Sequence, residues 1–225
     1  MHLFDQKITY VSVPKCACTT LKHFMFTVQN GFQFRNFTVG AKDYTVHVLS
    51  RSVPFEDLAH DRIADHHKFV LVRAPVSRVK SCYESKVLGG AMRRQKDAKR
   101  RLKKKGLPPN PSFAEFVERL SEYQDASPVI RNHSMPLSHF LGVDPGWFDR
   151  IYRMSEIDQL AADIRDRTGS DAELVHRNRT TKKIDPSELT PNLVAKIDDM
   201  FREDHELYDR WFDPAPVAGE AASAT

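Results

Sequence analysis

The chain has 225 residues, of which 40% are hydrophobic, and it carries 34 Lys and Arg residues against 30 Asp and Glu residues. This length and apolar content suit a single folded domain and exclude wholesale disorder. No run of ~18 apolar residues is present, so we predict no membrane-spanning helix. Three cysteines are too few for a disulfide framework, and the first residues lack a secretory signal, so we expect a reducing, cytoplasmic location.

Strands and helices alternate in the first half of the chain. Hydrophobic periodicity predicts strands at 7–13, 44–49 and 69–72, and helices at 19–30, after Pro54 and after Pro75. The run at 69–72 is entirely apolar, which is typical of a strand buried on both faces of a parallel sheet. This alternation predicts a layered α/β fold with a central parallel sheet flanked by helices.

The second half is predicted to be mostly helical. Helices are expected at 112–123 and 155–168 and around 193–201, with a short fourth strand at 151–152. Residues 1–213 are expected to form one domain. The Ala- and Pro-rich segment 214–225 is predicted to be a disordered tail.

The net charge of +4 is concentrated in one segment. Nine of the thirteen residues from Arg93 to Lys105 are Lys or Arg and one is Asp97, which gives +8 locally and leaves −4 for the rest of the chain. We predict an exposed basic connector over 91–111, which is either a solvated arm or a grip for an acidic partner. Because no aromatic residue interrupts the basic run, nucleic acid is not the expected partner.

The turn after the first strand has the composition of an anion-binding loop. The small residues Cys16, Ala17 and Cys18 would let backbone N–H groups close around a phosphate at the start of a helix. Lys15 adds a full charge, and the residues Thr19 and Thr20 add hydroxyl groups. The G-x-x-x-x-G-K-[ST] pattern of nucleoside triphosphate-binding loops is absent. A plain turn with a solvated lysine is the open alternative.

A second phosphate-suited pair follows the apolar strand at 69–72. Arg73 stands at its carboxyl end, where ligands bind in open α/β sheets, and Ser81 follows on the next helix. An arginine there can hold a phosphate through two parallel hydrogen bonds. An arginine paired at the sheet edge is the alternative. Together the two loops predict one doubly phosphorylated ligand.

Segments 14–22 and 72–83 resemble the two cofactor motifs of sulfotransferases, in particular carbohydrate O-sulfotransferases of the chondroitin and uronosyl 2-O types. This resemblance implies a P-loop-like three-layer fold and 3′-phosphoadenosine 5′-phosphosulfate (PAPS) as sulfuryl donor. It also implies that residues 15–20 hold the phosphosulfate and that Arg73 and Ser81 hold the 3′-phosphate. Segment 177–183 resembles the loop that closes over the nucleotide, which implies further contacts from Arg179 and Thr180.

Sulfuryl transfer is an in-line displacement that needs a base for the acceptor hydroxyl and a cation for the departing phosphate. Lys15 suits the second role. His47 is the first choice of base, because histidine titrates near neutrality and the uronosyl enzymes have a similar His-Val pair. His133 lies in a segment that resembles the acceptor side of the family, and it is the second choice of base or an acceptor contact. A structural role for His47 stays open.

We therefore expect a sulfotransferase that uses PAPS without a metal ion and acts on a hydroxyl of a carbohydrate, with an anionic carbohydrate as one candidate acceptor. Two alternatives differ in class. One is a small P-loop-like nucleotide kinase, which the missing triphosphate motif disfavours. The other is a non-enzymatic protein that binds polyanions through residues 93–105.

Overall fold

The computed structural model describes residues 1–177 and 181–214, and it has a small central sheet surrounded by helices. The strands are β1 (His2–Leu3), β2 (Ile8–Tyr10), β3 (Phe37–Val39), β4 (Lys42–Tyr44), β5 (His67–Leu71) and β6 (Arg150–Tyr152). The helices are α1 (Cys18–Asn30), α2 (Val46–Leu49), α3 (Pro75–Cys82), α4 (Ala91–Arg94), α5 (Lys96–Lys104), α6 (Phe113–Glu118), α7 (Leu120–Ala126), α8 (Pro128–Ser134), α9 (Leu137–Leu141), α10 (Ile157–Thr168), α11 (Pro191–Met200) and α12 (Arg202–Tyr208). A π-helical segment, Tyr83–Leu88, continues α3, and short 3₁₀ turns join several elements.

The central sheet has the order β1-β2-β5-β6. Strands β2, β5 and β6 run parallel, with Tyr10 opposite Phe69 and Leu71 opposite Tyr152, whereas β1 is an antiparallel edge. The apolar residues of β5 are fully buried, as expected for the middle of a parallel sheet. The predicted mixed α/β architecture with a parallel central sheet is confirmed.

Helix α1 follows the prediction closely. It begins at Cys18 and ends before Gly31, whose φ of 72° lets its N–H group donate to the carbonyl of Thr27 at 2.8 Å. Leu21, Phe24 and Met25 form its buried face. The helix is therefore fixed against the sheet, with its first turn at the carboxyl end of β2.

The predicted strand at 44–49 is wrong. Strand β4 pairs only with β3, in a hairpin separate from the central sheet, and the chain then forms the short helix α2. The alternating valines at 46 and 48 suggested a strand, but only Val46 is buried, where α2 packs against α1. His47 therefore lies on a helix rather than at a strand end.

The basic segment 91–111 is not a connector. It contains helices α4 and α5, and a second hydrophobic core includes Met92, Leu102 and Leu107, while Ala98 is also buried. Two apolar residues four apart in α5 are enough to dock one face of the helix, although the surrounding lysines and arginines conceal them in the composition. The cationic side chains of α5 remain exposed, as predicted.

The helix predicted after Pro54 consists only of two 3₁₀ turns, Phe55–Asp57 and His60–Ile63, whereas the remaining helices agree in type and differ at their ends. The helix predicted at 112–123 is divided into α6 and α7 at Arg119, and the one predicted at 155–168 begins with a 3₁₀ turn. Strand β6 and helix α11 are present as expected. None of the helices described is long and apolar enough to cross a membrane. Residues 215–225 of the predicted tail lie outside the described residues.

Candidate active site

A cavity of about 800 Å³ opens where β2 and β5 end, and it collects most of the predicted site. The predicted residues that line it are Lys15, Ala17, Cys18, Thr19, Thr20, His47, Arg73, Ser81 and His133. Cys16 lies beneath the cavity floor and is fully buried. Arg179 and Thr180 are outside the described residues, but Arg177 and Thr181 on either side of them line the same cavity.

The loop between β2 and α1 has unusual backbone geometry. Lys15 and Ala17 have φ angles of 70° and 49°, in the left-handed region that non-glycine residues avoid at roughly 1–3 kcal/mol each. Alternation between left- and right-handed conformations is typical of loops whose successive N–H groups form a concave anion site. Ala17 is also the N-cap of α1, so the partial positive charge of the helix end lies at the same place.

Arg73 ties the two predicted loops together. Its guanidinium donates to the carbonyl oxygen of Lys15 at 3.4 Å, across 58 residues of sequence. Arg73 also lines the cavity, and so does Ser81, which lies on helix α3. The two phosphate-suited loops are thus neighbours in space.

The Lys15 ammonium lies against the cavity wall. Its Nζ donates to the Oγ atom of Ser85 at 2.7 Å. Burial, followed by repulsion from Lys86, lowers the pKa of Lys15 to about 8, so most of the population is charged at neutral pH. A cation held by a neutral hydroxyl is available to a stronger, anionic partner.

The cavity is strongly cationic. Its charged lining consists of Lys15, Arg73, Lys86, Arg177, Lys182 and Lys183, and the described residues contribute no carboxylate to that lining. Of these, Lys183 pairs with the buried carboxylate of Glu84 at 3.2 Å. Burial lowers the pKa of Lys86, which shows that its charge is poorly hydrated. Such a site favours a ligand with several negative charges.

His47 lies at the boundary between this cavity and a second one. Its Nε2 is 3.0 Å from the Oγ1 atom of Thr19, and its Nδ1 is 3.4 Å from the Nζ atom of Lys22. Partial desolvation, followed by repulsion from Lys22, lowers the pKa of His47 to about 4, so the ring is neutral at pH 7. The second cavity, about 750 Å³, shares Thr19, His47 and Arg177 with the first and is also lined by residues 33–36 and 45–46, on either side of the β3–β4 hairpin.

His133 has a fixed tautomer. Its Nδ1 is 2.7 Å from the carbonyl oxygen of Val129, so Nδ1 carries the proton and Nε2 keeps its lone pair. Burial, and then repulsion from Lys86, lowers the pKa of this imidazole to about 3. The cavity therefore contains a second neutral histidine with a free basic nitrogen.

The hydroxyl of Thr20 has a partner that the sequence did not suggest. It accepts a hydrogen bond from the N–H group of Arg177 at 3.0 Å. Residues 176–177 and 181–183, which line the cavity, are called the late segment here. This contact attaches the late segment to the first turn of α1 and brings His176 and Arg177 to the cavity. Thr20 is thus bound to the protein itself, whereas its backbone remains part of the anion loop.

Sequence reasoning missed the residues that the helices bring in. Ser85 was detectable in principle, because it lies four residues after Ser81 and shares its helix face, and Lys86 follows it directly. Lys182 lies in segment 177–183, which the resemblance placed near the nucleotide, whereas His176 lies outside that segment and had no local signal.

A buried ion pair fixes the helical side of the site. An Nη atom of Arg78 is 3.5 Å from Asp204, whose carboxylate also accepts from the N–H groups of Leu137 and Ser138. The other Nη atom of Arg78 donates to the carbonyl oxygen of Met135 at 2.7 Å. These bonds connect α3, α12 and the turn that follows His133.

Comparison with known proteins identifies the class. Residues 4–212 match the model of the Sulfotransferase family, which covers both loops and nearly all described elements. The chain therefore belongs to the sulfotransferase family, as its two motifs predicted. No curated protein and no solved structure matches it.

Proposed function

We propose that this protein transfers a sulfuryl group from PAPS to a hydroxyl of a carbohydrate acceptor by in-line displacement. One observation carries the proposal: the Lys15 loop and the Arg73–Ser81 pair, far apart in sequence, line one cationic cavity. Its volume suits a nucleotide-sized ligand. The strand–loop–helix arrangement around Lys15 also supports a P-loop-like fold. Membership of the family favours this function over a kinase or a polyanion-binding protein without activity.

The donor would lie across the two loops. Backbone N–H groups of residues 15–20 would hold the phosphosulfate, together with the helix end. Arg73 and Ser81 would hold the 3′-phosphate, the first through a bidentate pair and the second through its hydroxyl. Lys86 and Arg177 would balance the remaining charge. Arg179 and Thr180 stay predicted contacts from the resemblance alone.

Lys15 would stabilise the leaving group. In the structure its ammonium is bonded to the neutral hydroxyl of Ser85. A phosphate oxygen gains negative charge as its bond to sulfur breaks, so the interaction with Lys15 is stronger in the transition state than in the ground state. Such an interaction raises kcat rather than only tightening binding.

His47 would take the proton from the acceptor. It is neutral, it contacts Thr19 of the anion loop, and it borders both cavities, so an acceptor in the second cavity would meet the donor beside it. The Lys22 ammonium can only donate to Nδ1, so His47 acts as base through Nε2 only after its proton moves to Nδ1 and that contact opens. His133 is the second candidate, because its tautomer leaves Nε2 unprotonated.

Transfer of label from PAPS to a panel of oligosaccharides tests the proposal. We expect transfer by the wild-type protein, and a loss of at least ~100-fold in kcat for the histidine that acts as base when it is replaced by Ala. His47→Ala is expected to show this loss and His133→Ala a smaller one. Phosphoryl transfer from ATP with magnesium and none from PAPS would instead establish a kinase.

A further inference from the structure

Helix α5 carries its positive charges in one stripe. Lys96, Lys99, Arg100, Lys103 and Lys104 follow the spacing i, i+3, i+4, i+7, i+8, and all five are exposed. On the opposite face Ala98 and Leu102 are buried, and Leu102 belongs to the second core. The stripe, which we call the α5 stripe, is therefore held rigidly on the surface.

The α5 stripe is unfavourable for the folded protein by itself. Like charges three or four residues apart on a helix destabilise it by roughly 0.2–0.5 kcal/mol per pair. Among the described residues only Arg100 of the stripe has an ion-pair partner, namely Asp97. Lys96, Lys99, Lys103 and Lys104 have none in that part of the chain. An uncompensated arrangement of this kind indicates a ligand outside the protein.

The α5 stripe is also connected to the active cavity. Gly89 lines that cavity, and its carbonyl oxygen accepts a hydrogen bond from Arg94 at 3.0 Å, just before α5 begins. Arg94, the last residue of α4, thus links a residue of the cavity lining to the chain that leads into α5.

We propose that the α5 stripe is a second binding site, outside the catalytic cavity, for an anionic polysaccharide acceptor. This inference rests on the proposed function for the identity of the acceptor, but not for the binding itself. A linear chain with a regularly spaced negative charge matches a regular row of cations. Single-stranded nucleic acid would use aromatic faces for stacking, which the stripe lacks. A membrane would need an apolar face, but that face of α5 is buried.

The experiment measures binding of size-defined oligosaccharides of alternating uronic acid and N-acetylglucosamine. We expect affinity for the wild-type protein to rise with chain length, to fall with added salt and to be lost when the carboxyl groups are reduced. Lys99→Gln/Lys103→Gln should weaken binding of the long chains about fivefold to tenfold. Equal binding of the reduced chains, or no binding of any chain, would overturn the proposal.

A matched variant separates the stripe from net charge. Arg101→Gln/Lys105→Gln removes the same two charges from the same segment but off the stripe, and we expect less than a twofold change. An equal loss in both variants would overturn the proposal. Tighter binding of single-stranded DNA or of anionic vesicles than of the glycan would assign the surface to another partner and would also overturn it.

Two further readouts keep this inference apart from the proposed function. The stripe variant should bind adenosine 3′,5′-bisphosphate as wild type does and should unfold at the same or a slightly higher temperature, because repulsion is removed. A lower unfolding temperature would point to a structural role and contradict the proposal. Chain binding without any sulfuryl transfer would leave the stripe in place and refute the proposed function.

Discussion

The cavity has two walls of different origin. One wall consists of the loop at residues 14–18 and Arg73, which emerge directly from the ends of buried parallel strands. The other consists of Ser85, Lys86, His133 and the late segment, which helices and irregular chain bring into place. The first wall offers backbone N–H groups together with the cations of Lys15 and Arg73, and the second offers further cations, a hydroxyl and a histidine. Strand ends thus place a phosphate site by local structure, whereas the surrounding chemistry depends on packing.

The largest effect is expected from separating the second wall from the first. Asp204→Asn leaves the buried charge of Arg78 without a counterion, and breaking a buried pair in this way destabilises proteins by about 3–5 kcal/mol. Denaturant unfolding measures it. Glu206→Gln, an exposed change on the same helix, is the control and should stay within ~0.5 kcal/mol. Similar stability of both variants would show that the pair does not join the walls.

Removing the cation of the first wall should have the next largest effect. Lys15→Ala deletes the group assigned to the departing phosphate, and losses of about 10²–10³ in kcat are typical for such electrostatic contacts. Single-turnover kinetics with PAPS checks this. Lys182→Ala, on the opposite wall, is the control and should change kcat less than tenfold. Equal losses of kcat in the Lys15 and Lys182 variants would mean that the position of the positive charge does not matter.

Acid should weaken the fold through the histidines of the cavity. The folded-state pKa values of His47 and His133, about 4 and about 3, lie below the ordinary value near 6.5. The unfolded chain therefore binds more protons as the pH falls below about 6.5, and stability drops towards pH 4. The slope reaches up to ~1.4 kcal/mol per pH unit for the more deeply buried His133, whereas solvent screening makes the contribution of the exposed His47 smaller. His133→Asn should flatten this dependence when the free energy of unfolding is measured against pH. An unchanged slope would contradict the assignment.

Base should weaken ligand binding through Lys15. With a pKa of about 8, this lysine loses its proton between pH 7 and 9, so binding of the bisphosphate should become up to ~10-fold weaker and should take up a proton. Calorimetry in buffers with different heats of ionisation measures that uptake. Lys15→Arg keeps its positive charge across this pH range and should therefore abolish the proton uptake. Uptake of equal size in the arginine variant would assign the proton to another group.

The smallest effect concerns the backbone of the first wall. Ala17→Gly relieves a positive φ and should raise the free energy of unfolding by about 0.5–1 kcal/mol, after the entropy of glycine is subtracted. Ala74→Gly, at an N-cap with a φ of −53°, has no strain to relieve and should be neutral or destabilising. Thermal unfolding compares the two. A less stable Ala17 variant would show that the loop is not strained.

The sequence was sufficient for the first wall because each of its signals is local. The apolar run at 69–72 predicted a buried parallel strand, and Arg73 follows it directly. Lys15 and the helix that begins at Cys18 could be located in the same way. Pairing of these strands in parallel then places their carboxyl ends side by side.

The second wall could not be predicted in the same way. Val46 and Val48 have the alternation of a strand, but the β3–β4 hairpin ends at Tyr44 and offers them no further pairing. The chain forms α2 instead, because this segment packs against α1. The buried face of α5 consists of Ala98 and Leu102 alone, which are hidden among cations. Lys182 lies in a segment without hydrophobic periodicity, so only the resemblance of residues 177–183 to a family loop placed it near the cavity.

Calorimetry with adenosine 3′,5′-bisphosphate tests most directly whether two separated loops hold one nucleotide. We expect one molecule to bind per chain, Arg73→Ala to weaken it about 10- to 100-fold, and the same variant to bind adenosine 5′-monophosphate as wild type does. No binding of the bisphosphate by the wild-type protein, or an equal loss of both nucleotides in the Arg73 variant, would contradict the account.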